Sequence, residues 1–118
     1  TGVSIIQVNQ WLDRGDILAQ RSFSIQTSDT CLTLSKSLSE LGASFIIQTL
    51  PRFFFNELVP LKQDDSVASY SRKIRRDDGC IQWNTQSAES IISMYRAYTP
   101  WPGISTVFQK KRLKISKL

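Results

Sequence analysis

The sequence predicts a mixed α/β chain with room for one domain or parts of two. Three observations carry that expectation. Short β-branched runs near both ends flank two stretches of helical periodicity. A polar, aperiodic stretch separates the two helices. Charge also divides along the chain: of the 15 Lys and Arg and 10 Asp and Glu, residues 1–59 hold only Arg14, Arg21, Lys36 and Arg52 against five acids. The second half therefore carries all of the net +5. A near-neutral half followed by a basic one fits a core-forming segment followed by one that meets a polyanion, nucleic acid foremost, or a solvated basic surface.

Composition narrows the class further. At 118 residues, 41% hydrophobic and 21% charged, the chain has room for one domain or parts of two, and disorder is a poor reading. It contains no histidine, which removes the Ser-His-Asp triad, the Cys-His dyad and any histidine-ligated zinc from these residues. Cys31 and Cys80 form no C-x-x-C, so two reduced, partly buried thiols are expected and no metal site. The richest apolar stretch, Phe45 to Phe55, is broken by Gln48, Thr49, Pro51 and Arg52, far short of a membrane helix. Thr1 in place of methionine, and no signal sequence, suggest an internal piece of a longer protein.

Val3 to Val8 and Ile17 to Ile25 read as strands, the second with Phe23 and Ile25 on one face. Between them, Asn9-Gln10-Trp11-Leu12-Asp13-Arg14-Gly15-Asp16 is too long for a two-residue turn and carries two carboxylates beside a glycine. Exposed loops of this kind often carry function. Ser28-Asp29-Thr30 supplies N-cap residues, and Leu34, Leu38, Leu41, Phe45, Ile46 and Thr49 recur at helical steps. Gly42 weakens this helix by about 1 kcal/mol, and Pro51 predicts a kink or stop near Leu50. Phe53, Phe54 and Phe55 are expected to pack as core beyond it.

From Asn56 to Asp78 periodicity vanishes, so the stretch reads as a linker anchored by Val67, Tyr70 and Ile74. A second helix is expected from an Asn84 cap, with Ala88, Ile91, Ile92, Tyr95 and Tyr98 on its apolar face. Pro100-Trp101-Pro102-Gly103 ends it. Ile104 to Phe108 and Arg112 to Ile115 read as two strands about Gln109-Lys110-Lys111. A lone hairpin is not stable by itself, a second hint of a longer chain. Trp83 and Trp101, beside Ile81 and Pro102, are expected in the core.

Asp13 and Asp16 need not share a face, and such loop acids are commonly solvated. A lone carboxylate is a weak general base at neutral pH. It becomes effective when it orients a histidine or takes a proton through water.

The order of motifs resembles one family in register over nearly the whole chain. Thr1-Gly2-Val3-Ser4-Ile5-Ile6-Gln7-Val8 followed by Leu12-Asp13-Arg14-Gly15-Asp16-Ile17-Leu18 resembles the T-G-V-T-I-M-Q-M…G-L-D-T-G-D-M-L segment of methionyl-tRNA formyltransferases. Ser39-Glu40-Leu41-Gly42-Ala43 with Thr49-Leu50-Pro51 is similar to A-E-L-G-A…T-L-P, and Gln63-Asp64-Asp65 with Ala68-Ser69-Tyr70 to Q-D-E…A-T-Y. Lys73-Ile74-Arg75-Arg76-Asp77-Asp78-Gly79-Cys80-Ile81-Gln82-Trp83 resembles K-I-K-K-E-D-G-R-I-D-W. Arg96-Ala97-Tyr98-Thr99-Pro100-Trp101-Pro102-Gly103 resembles R-A-F-N-P-W-P-G, and Lys111-Arg112-Leu113-Lys114-Ile115 resembles G-K-R-L-K-I.

The resemblance implies the C-terminal end of a Rossmann-like catalytic domain (1–55), a linker (56–83), and the first helix and hairpin of an OB-like β-barrel domain that meets tRNA (84–118). It implies transfer of a formyl group from 10-formyltetrahydrofolate to the amine of initiator methionyl-tRNA. Asp13 is then the catalytic aspartate, acting with an upstream asparagine and histidine, so these residues alone are not expected to catalyse. Trp11, Leu12 and Asp13 are expected beside the folate pterin. Arg72, Lys73, Arg75 and Arg76 in the linker, and Lys110, Lys111 and Arg112 at the hairpin, are expected to contact tRNA phosphates. No metal and no membrane are expected, the full-length protein is expected to be a monomer, and its compartment is the cytoplasm or, alternatively, the mitochondrial matrix.

Two positions depart from the family. Trp11 and Arg14 replace the glycine and threonine flanking Leu12-Asp13, which predicts strain if the glycine's positive φ is kept. Gln109-Lys110 replaces Asn-Gly in the last hairpin, predicting a looser or different turn. The alternative readings are a sugar-nucleotide N-formyltransferase and a non-catalytic remnant that binds tRNA or a protein partner.

Overall fold

A computed structural model describes all residues, Thr1–Leu118. It is a small α/β structure with two antiparallel two-stranded sheets. The elements are β1 (Gly2–Ile6), β2 (Ile17–Ser22), α1 (Cys31–Phe54), two 3₁₀ turns (Asp65–Val67 and Arg76–Gly79), α2 (Ala88–Tyr98), β3 (Ile104–Phe108) and β4 (Lys111–Ile115). They form two compact units, Thr1–Gln26 with Ser35–Tyr70 and Thr27–Leu34 with Ser71–Leu118.

In the first unit, β1 and β2 pair from Gly2↔Ser22 to Ile5↔Ala19, then slip by one residue to Ile6↔Ile17. Such a bulge bends a strand pair at its end, where the Asp13 loop departs. The strands are shorter than the apolar runs suggested, and Phe23 and Ile25 lie beyond β2. Helix α1 lies against this hairpin through buried Phe45, over which Arg21 of β2 stacks its guanidinium at 4.5 Å. Arg21 also donates to Gln48 at 3.0 Å.

The helix begins at a reciprocal cap, with the Thr30 N–H donating to Thr33 Oγ1 (3.0 Å) and the Thr33 N–H to Thr30 Oγ1 (3.3 Å). It does not stop at Leu50. Pro51 lies inside it, and the end is set by Asn56, in the left-handed region at φ 57°. The Asn56 N–H donates to the Phe53 carbonyl (3.0 Å) and the Glu57 N–H to that of Arg52 (2.8 Å), the paired bonds of a Schellman cap. Phe54 and Phe55 are exposed, not core, because the helix continues past the face that meets the strands. Val67 and Tyr70 are also exposed and do not anchor the linker as apolar plugs. That segment is held by polar contacts described below.

The second unit has a core of Ile81, Ile91 and Ile104, flanked by Met94, Tyr95, Tyr98 and Ile115. Helix α2 starts three residues later than expected, capped by Ser87, whose hydroxyl accepts the Ser90 N–H, while Asn84 sits in a preceding turn. Its buried face is therefore 91, 94, 95 and 98, and Ile92 points away. Ile81 is tied to β3 by its N–H to the Ser105 carbonyl at 2.8 Å. Ile81, near the end of the linker, is thus core, while Ile74 is 47% exposed.

Trp83 and Trp101 are 61% and 59% exposed, against the core reading. Trp83 has an indole N–H that donates to Thr106 Oγ1 at 2.7 Å, and this holds it on the surface. β3 and β4 pair with Phe108 opposite Lys111, leaving Gln109 and Lys110 as a two-residue turn at φ 46° and 63°. Two successive positive φ values are the type I′ geometry, so the hairpin keeps its tight turn despite residues that favour it little. Both cysteines are free thiols, Cys31 exposed and Cys80 half-buried. No helix is long and apolar enough to cross a membrane.

Candidate active-site loop and basic surface

The Asp13 loop is built by three polar anchors. Asn9 follows β1 and uses both ends of its side chain: its carbonyl oxygen accepts the Trp11 N–H at 2.8 Å, and its amide donates to the Arg14 carbonyl at 3.2 Å. Gly15 is buried, and a Cβ there would fall 1.7 Å from the Gln7 carbonyl oxygen, so the backbones approach more closely than any side chain allows. The Gln7 N–H then donates to the Asp16 carbonyl at 2.9 Å, closing the loop's base. The third anchor is Gln63, whose side-chain amide donates to the carbonyls of Asp13 (2.8 Å) and Gly15 (2.7 Å).

Asp13 itself is exposed and sits at φ 55°. Among residues with a Cβ, aspartate and asparagine enter this region most readily. Trp11 is not among the positive-φ residues, so the strain expected for it falls on Asp13, which tolerates it better. Arg14 turns outward: its guanidinium donates to the Tyr70 hydroxyl at 3.1 Å and lies 3.7 Å from an Asp65 oxygen.

Trp11, Leu12 and Asp13 lie together on an open concavity of about 370 Å³, with Ile6, Val8, Asn9, Gln10 and Gly15 completing its wall. Trp11 and Leu12 are 62% and 87% exposed. Apolar Ile6, Val8, Trp11 and Leu12 with polar Asn9, Gln10 and Asp13 among them make a wall of the kind a flat heteroaromatic ring with an amide rim takes. The residues present therefore fit a pterin ring.

The seven basic residues singled out by the sequence all lie in the second unit: two are paired with carboxylates, four are unpaired, and Arg75 is engaged through its backbone N–H. Arg72 makes a bidentate pair with Asp78, at 2.7 and 2.6 Å, and Asp78 also accepts the Arg75 N–H at 2.7 Å. The Arg72 guanidinium, helped by that N–H, lowers the Asp78 carboxyl to a pKa of about 2. Arg112 is likewise paired with Asp77. Lys73, Arg76, Lys110 and Lys111 make no side-chain hydrogen bond or ion pair and are exposed. No group of His, Cys, Asp and Glu is arranged to hold a metal ion.

Sequence reasoning missed Asn9 and Gln63. Asn9 had a legible signal, an asparagine entering a loop directly after a strand, where it commonly closes a turn on a backbone N–H two residues on. Gln63 carried only its place in the Q-D-E match, which does not reveal partners about fifty residues away.

Residues 73–118 match the formyl transferase C-terminal domain. The methionyl-tRNA formyltransferase of Caldicellulosiruptor saccharolyticus is 42% identical over all 118 residues, which are 37% of its length. Among solved structures, a Mycobacterium tuberculosis protein described as a likely sugar N-formyltransferase superposes with TM-score 0.76 at 16% identity, over 97% of this chain and 51% of that one. HypX from Aquifex aeolicus in complex with tetrahydrofolic acid gives TM-score 0.71 at 18% identity, over 94% of this chain and 19% of that one. At those identities the structures show the fold alone. The resemblance to methionyl-tRNA formyltransferases read from the motifs is thus shown along the whole chain, which spans just over a third of the curated relatives' length.

Proposed function

We propose that this chain, similar along its whole length to methionyl-tRNA formyltransferases and ending in a formyl transferase C-terminal domain, is part of an enzyme that formylates initiator methionyl-tRNA. The donor is 10-formyltetrahydrofolate. The observation that carries the reading is the conjunction of full-length identity to such enzymes with a loop that displays Asp13 beside an apolar, ring-sized concavity.

In this reading residues 1–55 close a Rossmann-like catalytic domain, 56–83 link it onward, and 84–118 begin an OB-like barrel. Trp11 and Leu12 would lie against the pterin face and Asp13 at its reacting edge. The bound folate supplies an activated formyl carbon. Asp13 holds an exposed carboxylate where the methionyl amine attacks. It accepts the proton released from that amine, directly or through water, and keeps a neighbouring imidazole in its charged form. The imidazole that faces the developing oxyanion has to come from outside these 118 residues, which contain no histidine, and the family pattern puts the partnering asparagine upstream as well.

Phosphate contacts are best assigned to Lys73, Arg76, Lys110 and Lys111, whose charges are not spent internally. Arg72 and Arg112 serve first to fold the linker and hairpin, and Arg75 lies beside Asp78 between the two groups. The protein acts on a dissolved tRNA, as a monomer, in the cytoplasm or mitochondrial matrix.

The test is a transfer assay with the full-length protein, offering 10-formyltetrahydrofolate and either initiator methionyl-tRNA or a nucleotide-linked amino sugar. Formylation of the tRNA amine and not of the sugar is expected. The reverse preference overturns the assignment in favour of a sugar-nucleotide enzyme, and no transfer to either supports a non-catalytic remnant.

A further inference from the structure

The stretch after Pro60 does more than connect two units. Leu61 forms an antiparallel bridge with Ile17, each N–H donating to the other's carbonyl at 2.8 Å. This fixes the chain beside the exit of the Asp13 loop. Two residues on, the Gln63 side-chain amide faces the carbonyls of Asp13 and Gly15 at 2.8 and 2.7 Å. A primary amide carries two N–H bonds, so both contacts are made at once. The carbonyls on either side of Arg14 converge on one nitrogen in a loop whose Asp13 has turned to φ 55°. Arg14, between them, reaches Tyr70 and Asp65 farther along the same stretch.

None of these contacts uses the Asp13 carboxylate; they fix its backbone and leave the side chain free. The geometry points to Gln63 as the positioning residue of the Asp13 loop: its amide locks the left-handed turn that presents the carboxylate to the concavity. The inference rests on the catalytic reading of Asp13. Without the amide, two carbonyls lose their donor, one of them in a buried glycine, and such groups are costly to leave unpaired. The loop then turns to find water, and Asp13 turns with it. A misplacement of about 1 Å can cost about a hundredfold in rate.

The test is a double-mutant cycle in the full-length protein, measuring formyl transfer to methionyl-tRNA for wild type, Gln63→Glu, Asp13→Asn and the double variant. Gln63→Glu keeps the shape and removes both donors. Its kcat is expected to fall about tenfold or more, with KM for the tRNA within about twofold because the tRNA contacts lie elsewhere. Added to Asp13→Asn, it is expected to cause no further loss.

A Gln63→Glu enzyme with wild-type kcat, alongside a crippled Asp13→Asn, overturns the positioning role and leaves the catalytic reading standing. Fully additive losses also overturn it, since Gln63 would then act through something other than Asp13. A fully active Asp13→Asn overturns the catalytic reading and the inference together. Should Gln63→Glu not fold, Gln63→Met, uncharged and of similar length, carries the same expected and overturning results.

Discussion

At the scale of single residues, the loop depends on backbone positions as much as on the carboxylate. Asp13 occupies a region that costs most side chains about 1–2 kcal/mol, so alanine there would mix a lost charge with strain. Asparagine keeps the conformational tolerance and removes only the charge, which makes Asp13→Asn the cleaner probe. Gly15 is the opposite case, since its constraint is steric. A Cβ would sit 1.7 Å from the Gln7 carbonyl oxygen, and a backbone atom cannot swing aside as a side-chain tip can. Gly15→Ala is expected to lower the melting temperature of the full-length protein by several degrees, corresponding to about 2 kcal/mol or more, and to reduce transfer. An unchanged melting temperature would mean that the strand end opens freely.

At the scale of elements, the ion pair between Arg72 and Asp78 organises the second 3₁₀ turn. Because Asp78 has a folded pKa lowered to about 2, its stabilising contribution is complete above the ordinary carboxylate range and is lost as pH falls toward 2. Unfolding of wild type and Arg72→Met, followed from pH 7 down to about 2, is therefore expected to show a stability gap that narrows below about pH 4. A gap that stays constant would deny the pair its role.

The elements themselves were legible to different degrees. Both helices could be read from periodicity, because each turns an apolar face inward, while the strands were legible only as short apolar runs and β2, β3 and β4 bury no alternating face. The end of α1 could not, because Pro51 looked like the stop while a Schellman cap at Asn56, which needs left-handed backbone, sets it. Trp83 misled for a related reason: apolar bulk predicts burial, yet an indole N–H paired with Thr106 holds it on the surface. In the candidate site the Leu12-Asp13-Arg14-Gly15 loop was readable as a motif. Its brace was not, since Gln63 meets it only through folding.

At the scale of the whole molecule, the positive second half divides into charges that build the fold and charges that face outward. Paired Arg72 and Arg112 belong to the first group. Counterion release counts only the second. Replacing Lys73, Arg76, Lys110 and Lys111 by alanine in the full-length protein is expected to weaken tRNA binding and lower the salt slope, by at most about one unit per residue. An unchanged slope would return these residues to a solvated surface.

We propose that formyl transfer to methionyl-tRNA depends on the Asp13 carboxylate. That dependence is tested most directly by single-turnover transfer from 10-formyltetrahydrofolate with full-length wild type and Asp13→Asn side by side. A loss of about 10²–10⁴-fold in the chemical step is expected, with the melting temperature preserved. An Asp13→Asn enzyme that transfers formyl at the wild-type rate would contradict it.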